Sequence, residues 1–403
     1  MKRRTLLITL TCVGFIIALV FLLWGVLDRN EVRYTIVDLG TVAEGKGLET
    51  SWATAINDVG QVVGRHRTPT EDFRAFIWDA THGMVDLRAF GVELRTAEDI
   101  NSKGEVVGSM LFRGKDQSGQ RPEPSHAYLW SEKLGLFDLH PASAEASYAA
   151  EINEEGAVIG RFRRDGGIYQ AVRWDANGNL EILFPDSNGP SWEGGINECG
   201  DVVGVRGTVQ GGKCDAYVRK GTQEVVLLPT LRGYQGSGAK AIDRSGTIYG
   251  FCRIWNEPML TMVPVQWKDG VINELESLGY GRPDHRCNPH EVNSKGQIVG
   301  EASWSKRSLK ETLKYWYSQI RLWLGCPVTP PMAIQDVTEK RAVVWNRGHI
   351  HDLNDLIPQN SGWLLLSASD INERGQIVGF GLHNGQQRSF LLTPSEEPPE
   401  SDR

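Results

Sequence analysis

Seven times along the chain a short alternating run ends in Ile or Val, meets Asn or Asp, and reaches Gly three positions later. A β-branched pair (Ile-Tyr in the fifth copy) and a second Gly then close the pattern. The copies are ATAINDVGQVVG (53–64), AEDINSKGEVVG (97–108), AAEINEEGAVIG (149–160), EGGINECGDVVG (193–204), AKAIDRSGTIYG (239–250), PHEVNSKGQIVG (289–300) and ASDINERGQIVG (368–379). Alternation with period two predicts a strand on each side of the turn. The Asn suits the turn because its side chain bonds backbone groups further on. The first Gly supplies the positive φ of a type I turn closed by a bulge. Each copy therefore predicts a β-hairpin, and the recurrent Asn is read as turn chemistry. Self-similarity of this kind marks a repeat architecture.

Two more strand signals follow most hairpins. In the first repeat they are RAFIW (74–78) and MVDL (84–87); in the second, HAYLW (126–130) and LFDL (136–139). Four short strands per repeat, with most equivalent Ile/Val positions 44 to 52 residues apart (Ile56 to Ile100, Ile100 to Ile152), fit a propeller blade. The seventh repeat stops after its third strand, RSFLL (388–392), while the chain begins with an orphan strand, YTIVDL (34–39), whose text resembles the fourth strands. The orphan is expected to complete the last blade and remove open edges. The predicted fold is all-β: a seven-bladed β-propeller over 33–393, closed by an N-terminal strand. The Pro-rich, charged tail 394–403 is expected to be disordered.

The A-x-x-I-N-x-x-G-x-V-V-G text followed by an A-F/Y-x-W strand resembles the bacterial HAF family of extracellular repeats. The resemblance covers nearly all of 33–393, although the His-Ala-Phe triplet survives only as His126-Ala127-Tyr128 and in variants such as Arg74-Ala75-Phe76. It implies export and repeated β structure, and no catalytic residues.

Residues 5–27 contain no charge and are mostly Leu, Ile, Val and Phe, long enough to span a bilayer. Lys2, Arg3 and Arg4 place the amino terminus, 1–4, in the cytoplasm. No small-x-small cleavage site precedes Asp28, so an uncleaved signal-anchor is expected, with signal-peptide cleavage as the alternative. The expected location is a bacterial cell membrane, single-pass, with the repeats in the periplasm or outside the cell. The net charge of −7 divides into +3 over residues 1–30 and −10 over the rest (−7 minus +3). So acidic a folded part is not a general nucleic-acid binder.

Antiparallel blades put the Asn turns on one face and the loops after each second strand on the other. Those opposite loops start basic: Arg65, Arg67, Arg113, Arg161, Arg163, Arg164, Arg206 and Arg253. Such a face could collect an anionic glycan or an acidic protein partner; equally, the Arg side chains could pair with local Asp and Glu. An insertion at about 303–339 in the sixth repeat carries a capping box and Leu309, Leu313, Trp316, Ile320 and Trp323 at helical spacing. His285, Cys287 and His290 are the densest set of metal-ligand types, expected in the link before the sixth repeat and lacking an obvious fourth ligand. The phosphate-loop-like text 207–214 has Cys214 where Ser or Thr should stand and runs into a strand. No cofactor is expected. The function expected is a membrane-anchored binding or scaffolding module for an envelope ligand. A glycan-active lyase or hydrolase and a purely structural envelope protein stay open as alternatives.

Overall fold

The computed structural model describes residues 33–42, 50–67, 73–111, 125–164, 167–185, 189–207, 213–256, 259–278, 285–305 and 338–395. Among these, the chain forms five four-stranded sheets and one eight-stranded sheet. The eight-stranded sheet is two four-stranded units joined by one parallel bridge, Met262 to Arg286. In the first unit the order is Thr50–Ile56, Val62–Arg67, Phe73–Asp79 and Gly83–Asp86, each antiparallel to the one before. Five more units follow in the same order, at 96–138, 146–182, 191–227, 236–274 and 286–352. The last sheet takes Trp363–Ile371, Ile377–His383 and Gln386–Pro394 from the end of the chain and Tyr34–Asp38 from its beginning. The orphan strand thus pairs with the final one, in the register Tyr34 to Pro394 through Asp38 to Phe390. Pro394 lies inside that strand and Ser395 N donates to the Arg33 carbonyl at 2.7 Å, so structure runs two residues into the segment expected to be tail.

The core lies between units. The hydrophobic clusters each join two successive units, and one joins the last to the first through Val378, Leu391 and Leu39 against Ala53, Val62, Phe76 and Trp78. Each sheet is thus covered on both faces, and its alternating side chains serve two interfaces. The third-strand Trp is shared too. Trp174, Trp267 and Trp345 are almost fully buried, and their indole N–H groups donate to carbonyls of the preceding link: Leu139 at 3.1 Å, Pro229 at 2.7 Å and Glu276 at 2.8 Å. A Ser near the start of the inner strand accepts a third-strand amide of the unit before. Ser147 takes Ala127 N, Ser191 takes Ala171 N and Ser51 takes Ser389 N.

The Asn turns form as expected: Gly60 N donates to the Asn57 carbonyl, Gly60 has φ +91, and Asn57 Oδ1 accepts Gln61 N at 2.8 Å. They also do more. The side-chain amide of each Asn donates to the main-chain carbonyl of its counterpart in the next unit. Asn57 reaches Asn101 at 3.0 Å, Asn101 reaches Asn153 at 3.2 Å, Asn153 reaches Asn197 at 3.1 Å and Asn197 reaches Asp243 at 3.1 Å. Asn293 reaches Asn372, and Asn372 returns to Asn57, both at 3.1 Å. One step is missing, because Asp243 has no amide to donate to Asn293. Asp243→Asn is therefore expected to stabilise the fold by about 1 kcal/mol, the net worth of one hydrogen bond. Its urea midpoint should rise with unchanged m-value. An unchanged or lower midpoint would mean that the turns at 243 and 293 stand too far apart to be bridged.

The helix expected within 303–339 falls on 306–337, outside the described residues. Its expected edges are strand, because Ile298–Ser305 and Thr338–Asn346 pair from end to end. The signal-anchor at 5–27 also lies outside the described residues, and no helix among those described is long and apolar enough to cross a membrane. Cys199, Cys214, Cys252 and Cys287 are free thiols.

Candidate functional site

Every inner strand carries an irregularity at the same place. The register shifts between Ala53 and Ala55, Ala97 and Asp99, Ala149 and Glu151, Glu193 and Ile196, Ala239 and Ala241, Pro289 and Glu291, and Ala368 and Asp370. A bulge places two residues opposite one and breaks the alternation of side chains. The second Gly of each repeat belongs to this bulge. A Cβ on Gly64 would lie 2.1 Å from the Trp52 carbonyl oxygen, and one on Gly379 2.1 Å from that of Ser367. That Gly is there for close approach of the second strand to the bulged first.

Just after the bulge, four of the inner strands carry a carboxylate: Asp99, Glu151, Glu291 and Asp370. They line a central cavity of about 170 Å³ with Thr54, Glu98 and Ser369. A second cavity, of about 560 Å³, is ringed by the Asn turns and meets the first at Glu151, Glu291 and Asp370. All four residues are half-buried in the cavity wall, and all their carboxyls hold their protons more tightly than usual. Burial pushes Asp99 up to about 6 against the pull of two amide hydrogen bonds, and Glu291 up to about 7. Burial, then the charges of Glu291 and Asp99, raise Glu151 and Asp370. The same groups accept main-chain amides. Asp99 takes Ile100 N at 2.7 Å and Ile152 N at 2.8 Å; Asp370 takes Ile371 N at 2.6 Å and Ile56 N at 2.7 Å. Glu151 takes Ile196 N at 2.9 Å and Glu291 takes Val292 N at 3.0 Å. Asp99, Glu151 and Asp370 thereby fasten one inner strand to the next. Both oxygens of Asp99 and of Asp370 are engaged by main-chain amides, and Glu151 and Glu291 share a side-chain hydrogen bond. The sequence signal for this set was an acid two positions before the Asn in four copies, which the reading of the Asn as the centre of the motif passed over.

At the opposite end of the units, two of them carry the same four-residue arrangement. In the first, Trp52 faces Arg65 across the inner hairpin and Arg67 faces Phe73 across the next pair. The Arg65 guanidinium lies 5.7 Å from the Trp52 ring centre and 5.4 Å from that of Phe73, and the two rings meet edge to face at 5.6 Å. In the third unit Tyr148, Arg161, Arg163 and Tyr169 hold the equivalent register. Arg161 lies 5.0 Å from the Tyr148 centre, and Arg163 5.2 Å from that of Tyr169. Arg161 pairs with Glu193 of the next unit, which is buried, and Arg163 pairs with Glu145 at 3.1 Å. Lys240 lies close enough to Glu193 to share its field, and burial lowers the Lys240 ammonium toward neutrality.

The other predicted basic residues are dispersed. Arg164 stacks on Phe162 at 5.7 Å and Arg206 on Phe184 at 5.4 Å. Arg253 faces Gly236 and Met262 in a strand and sits beside the buried Cys214 thiol. Arg113 lies outside the described residues. The expectation of local pairing thus holds for Arg161 and Arg163. His285, Cys287 and His290 do not form the loop cluster expected of them, because Arg286–Val292 is an inner strand. Cys287 is fully buried in the core, where burial pushes its thiol up to about 12. His290 occupies the bulge and donates Nδ1–H to the Ala368 carbonyl at 2.8 Å. Extension along a strand separates their side chains. Among the described residues no three His, Cys, Asp or Glu side chains are grouped to hold a metal ion.

No family model matches the chain, and no curated protein matches it. Among solved structures, an acylaminoacyl peptidase of Pyrococcus horikoshii is similar over 83% of this chain and 50% of its own, at 10% identity and a TM-score of 0.44. This chain thus spans about half the length of that peptidase. A variant of the Aleuria aurantia lectin in complex with Fucalpha1-6GlcNAc is similar over 87% of this chain and 98% of its own, at 9% identity and a TM-score of 0.34. A protein of unknown function from Dyadobacter fermentans is similar over 89% and 99%, at 9% identity and a TM-score of 0.36.

Proposed function

We propose that the protein is a seven-bladed β-propeller of the bacterial envelope, held at the membrane by residues 5–27, that works as a binding module for an anionic glycan. The face opposite the Asn turns is its binding face. The observation that carries the reading is the repeated constellation of Arg between aromatic rings in the first and third units. Aromatic faces pack against the C–H side of a sugar, and a guanidinium takes a carboxylate through paired hydrogen bonds. The central cavity supports binding over catalysis, since three of its four carboxyls are engaged in fastening the inner strands together.

The test is retention of the purified protein on immobilised acidic and neutral polysaccharides over a range of salt. Retention by acidic polysaccharide alone, lost as sodium chloride rises from about 0.05 to 0.5 M, is expected for an exposed ionic contact. Equal retention by neutral polysaccharide, or none by either, would refute the reading. Release of new reducing or unsaturated ends from the retained polysaccharide would favour the lyase or hydrolase instead. Protease accessibility in intact cells checks the placement: digestion of the propeller with the 5–27 segment left in the membrane is the expected result.

A further inference from the structure

The two equivalent constellations differ in the carboxylate offered to the Arg that faces the inner strand. Arg161 in the third unit has its carboxylate, Glu193, supplied by the inner strand of the fourth. Glu193 pairs with Gly204, and the residue in the same register of the second unit is Ala97, which pairs with Gly108. The strand carrying Arg65 packs on the strand carrying Ala97, just as that carrying Arg161 packs on that carrying Glu193. By register, the position that supplies Glu193 to Arg161 is held by an alanine in the second unit. Arg65 stacks between Trp52 and Phe73, and its Nε is buried without a hydrogen-bond partner. It makes no ion pair with any described residue. Its buried Nε–H is a donor left unmet by the described residues. The third unit shows what answers such a guanidinium in this fold.

We infer that Arg65, with Trp52 and Phe73, forms an open site for the carboxylate of an acidic sugar, which takes the place that Glu193 holds over Arg161. This inference rests on the glycan-binding reading above and names its site and ligand class. The carboxylate would bind the guanidinium edge, and the sugar ring would lie along the half-exposed Trp52 and Phe73 side chains. A peptide carboxylate is the weaker fit. Trp52, Arg65 and Ala75 lie side by side in a closed ladder, so the surrounding backbone has few free amides with which to fix a peptide main chain. The third unit, with Arg161 already paired to Glu193, is self-occupied and is not a second copy of the site.

The experiment is calorimetric titration of the full chain with trigalacturonate. One site per protein is expected, with affinity falling at least tenfold in Arg65→Met. Ala97→Glu, which supplies from within the carboxylate that Glu193 gives the third unit, is expected to lower the affinity to a similar degree. Circular dichroism confirms that each variant is folded. Should Ala97→Glu not fold, Arg65→Met decides alone. Trigalacturonate binding unchanged in a folded Arg65→Met variant would overturn the assignment to this site while leaving the glycan-binding reading intact. An Asp/Glu-rich peptide that binds in an Arg65-dependent way, with no binding of trigalacturonate, would overturn the ligand class. No binding by the wild type to trigalacturonate or to any acidic polysaccharide would remove both.

Discussion

Trp267→Ala is expected to destabilise the fold by about 5 kcal/mol. Large-to-small changes at a buried aromatic cost about 3–5 kcal/mol, because the cavity left behind only partly collapses. Trp267 is one of the most fully buried side chains, in the core shared by the fourth and fifth units. Its indole N–H also holds the Pro229 carbonyl at 2.7 Å, and loss of that donor orphans a main-chain acceptor at the junction between units. Trp267→Phe, which keeps most of the volume and loses the donor, should cost clearly less. Urea unfolding followed by fluorescence measures both. Near-equal losses would mean that the hydrogen bond, rather than the packed volume, dominates at the junction. A loss under about 1 kcal/mol for the alanine variant would mean that this interface is not a cooperative part of the fold.

A similarly large effect is expected from pH. A carboxyl whose pKa is higher folded than unfolded binds more protons in the native state, so stability falls as pH rises between the two values. For Asp99 and Glu291 that window runs from the ordinary carboxylate range to about 6 and about 7. Each contributes a loss on the order of 3 kcal/mol across it. Glu151 and Asp370 are shifted in the same direction by burial and by their neighbours. The thermal midpoint should therefore be higher near pH 5 than near pH 8. Glu291→Gln keeps an oxygen for Val292 N and removes the ionisation, so it should raise the midpoint at pH 8 and flatten the profile. A wild-type midpoint that climbs from pH 5 to pH 8 would show that the four carboxyls ionise at little cost, through water reaching the channel.

The Asn57 turn shows how far local chemistry reaches. Its loop closure, the positive φ of Gly60 and the acceptance of Gln61 N are interactions within five residues, and the text of the repeat was enough to expect them. The destination of the Asn57 amide, the carbonyl of Asn101, depends on how neighbouring units pack. The second Gly proved to be a contact point within its own hairpin, packed against the bulged first strand, which alternation alone does not reveal.

The sequence alone determined the local features: the hairpins, the four strands per repeat, the Trp-bearing third strand and the orphan strand that pairs with the last. These follow from side-chain alternation and turn chemistry, which act between residues close in the chain or repeated along it. Only the tertiary structure decided which side chains meet. The bulge in each inner strand breaks the period of two, so alternation cannot say that Asp99, Glu151, Glu291 and Asp370 share one cavity. It likewise cannot say that Arg161 finds Glu193, while the second unit holds Ala97 at the corresponding register position. That difference is set by one residue in the neighbouring unit, more than thirty positions along the chain, and it is what separates a self-paired cation from an open site.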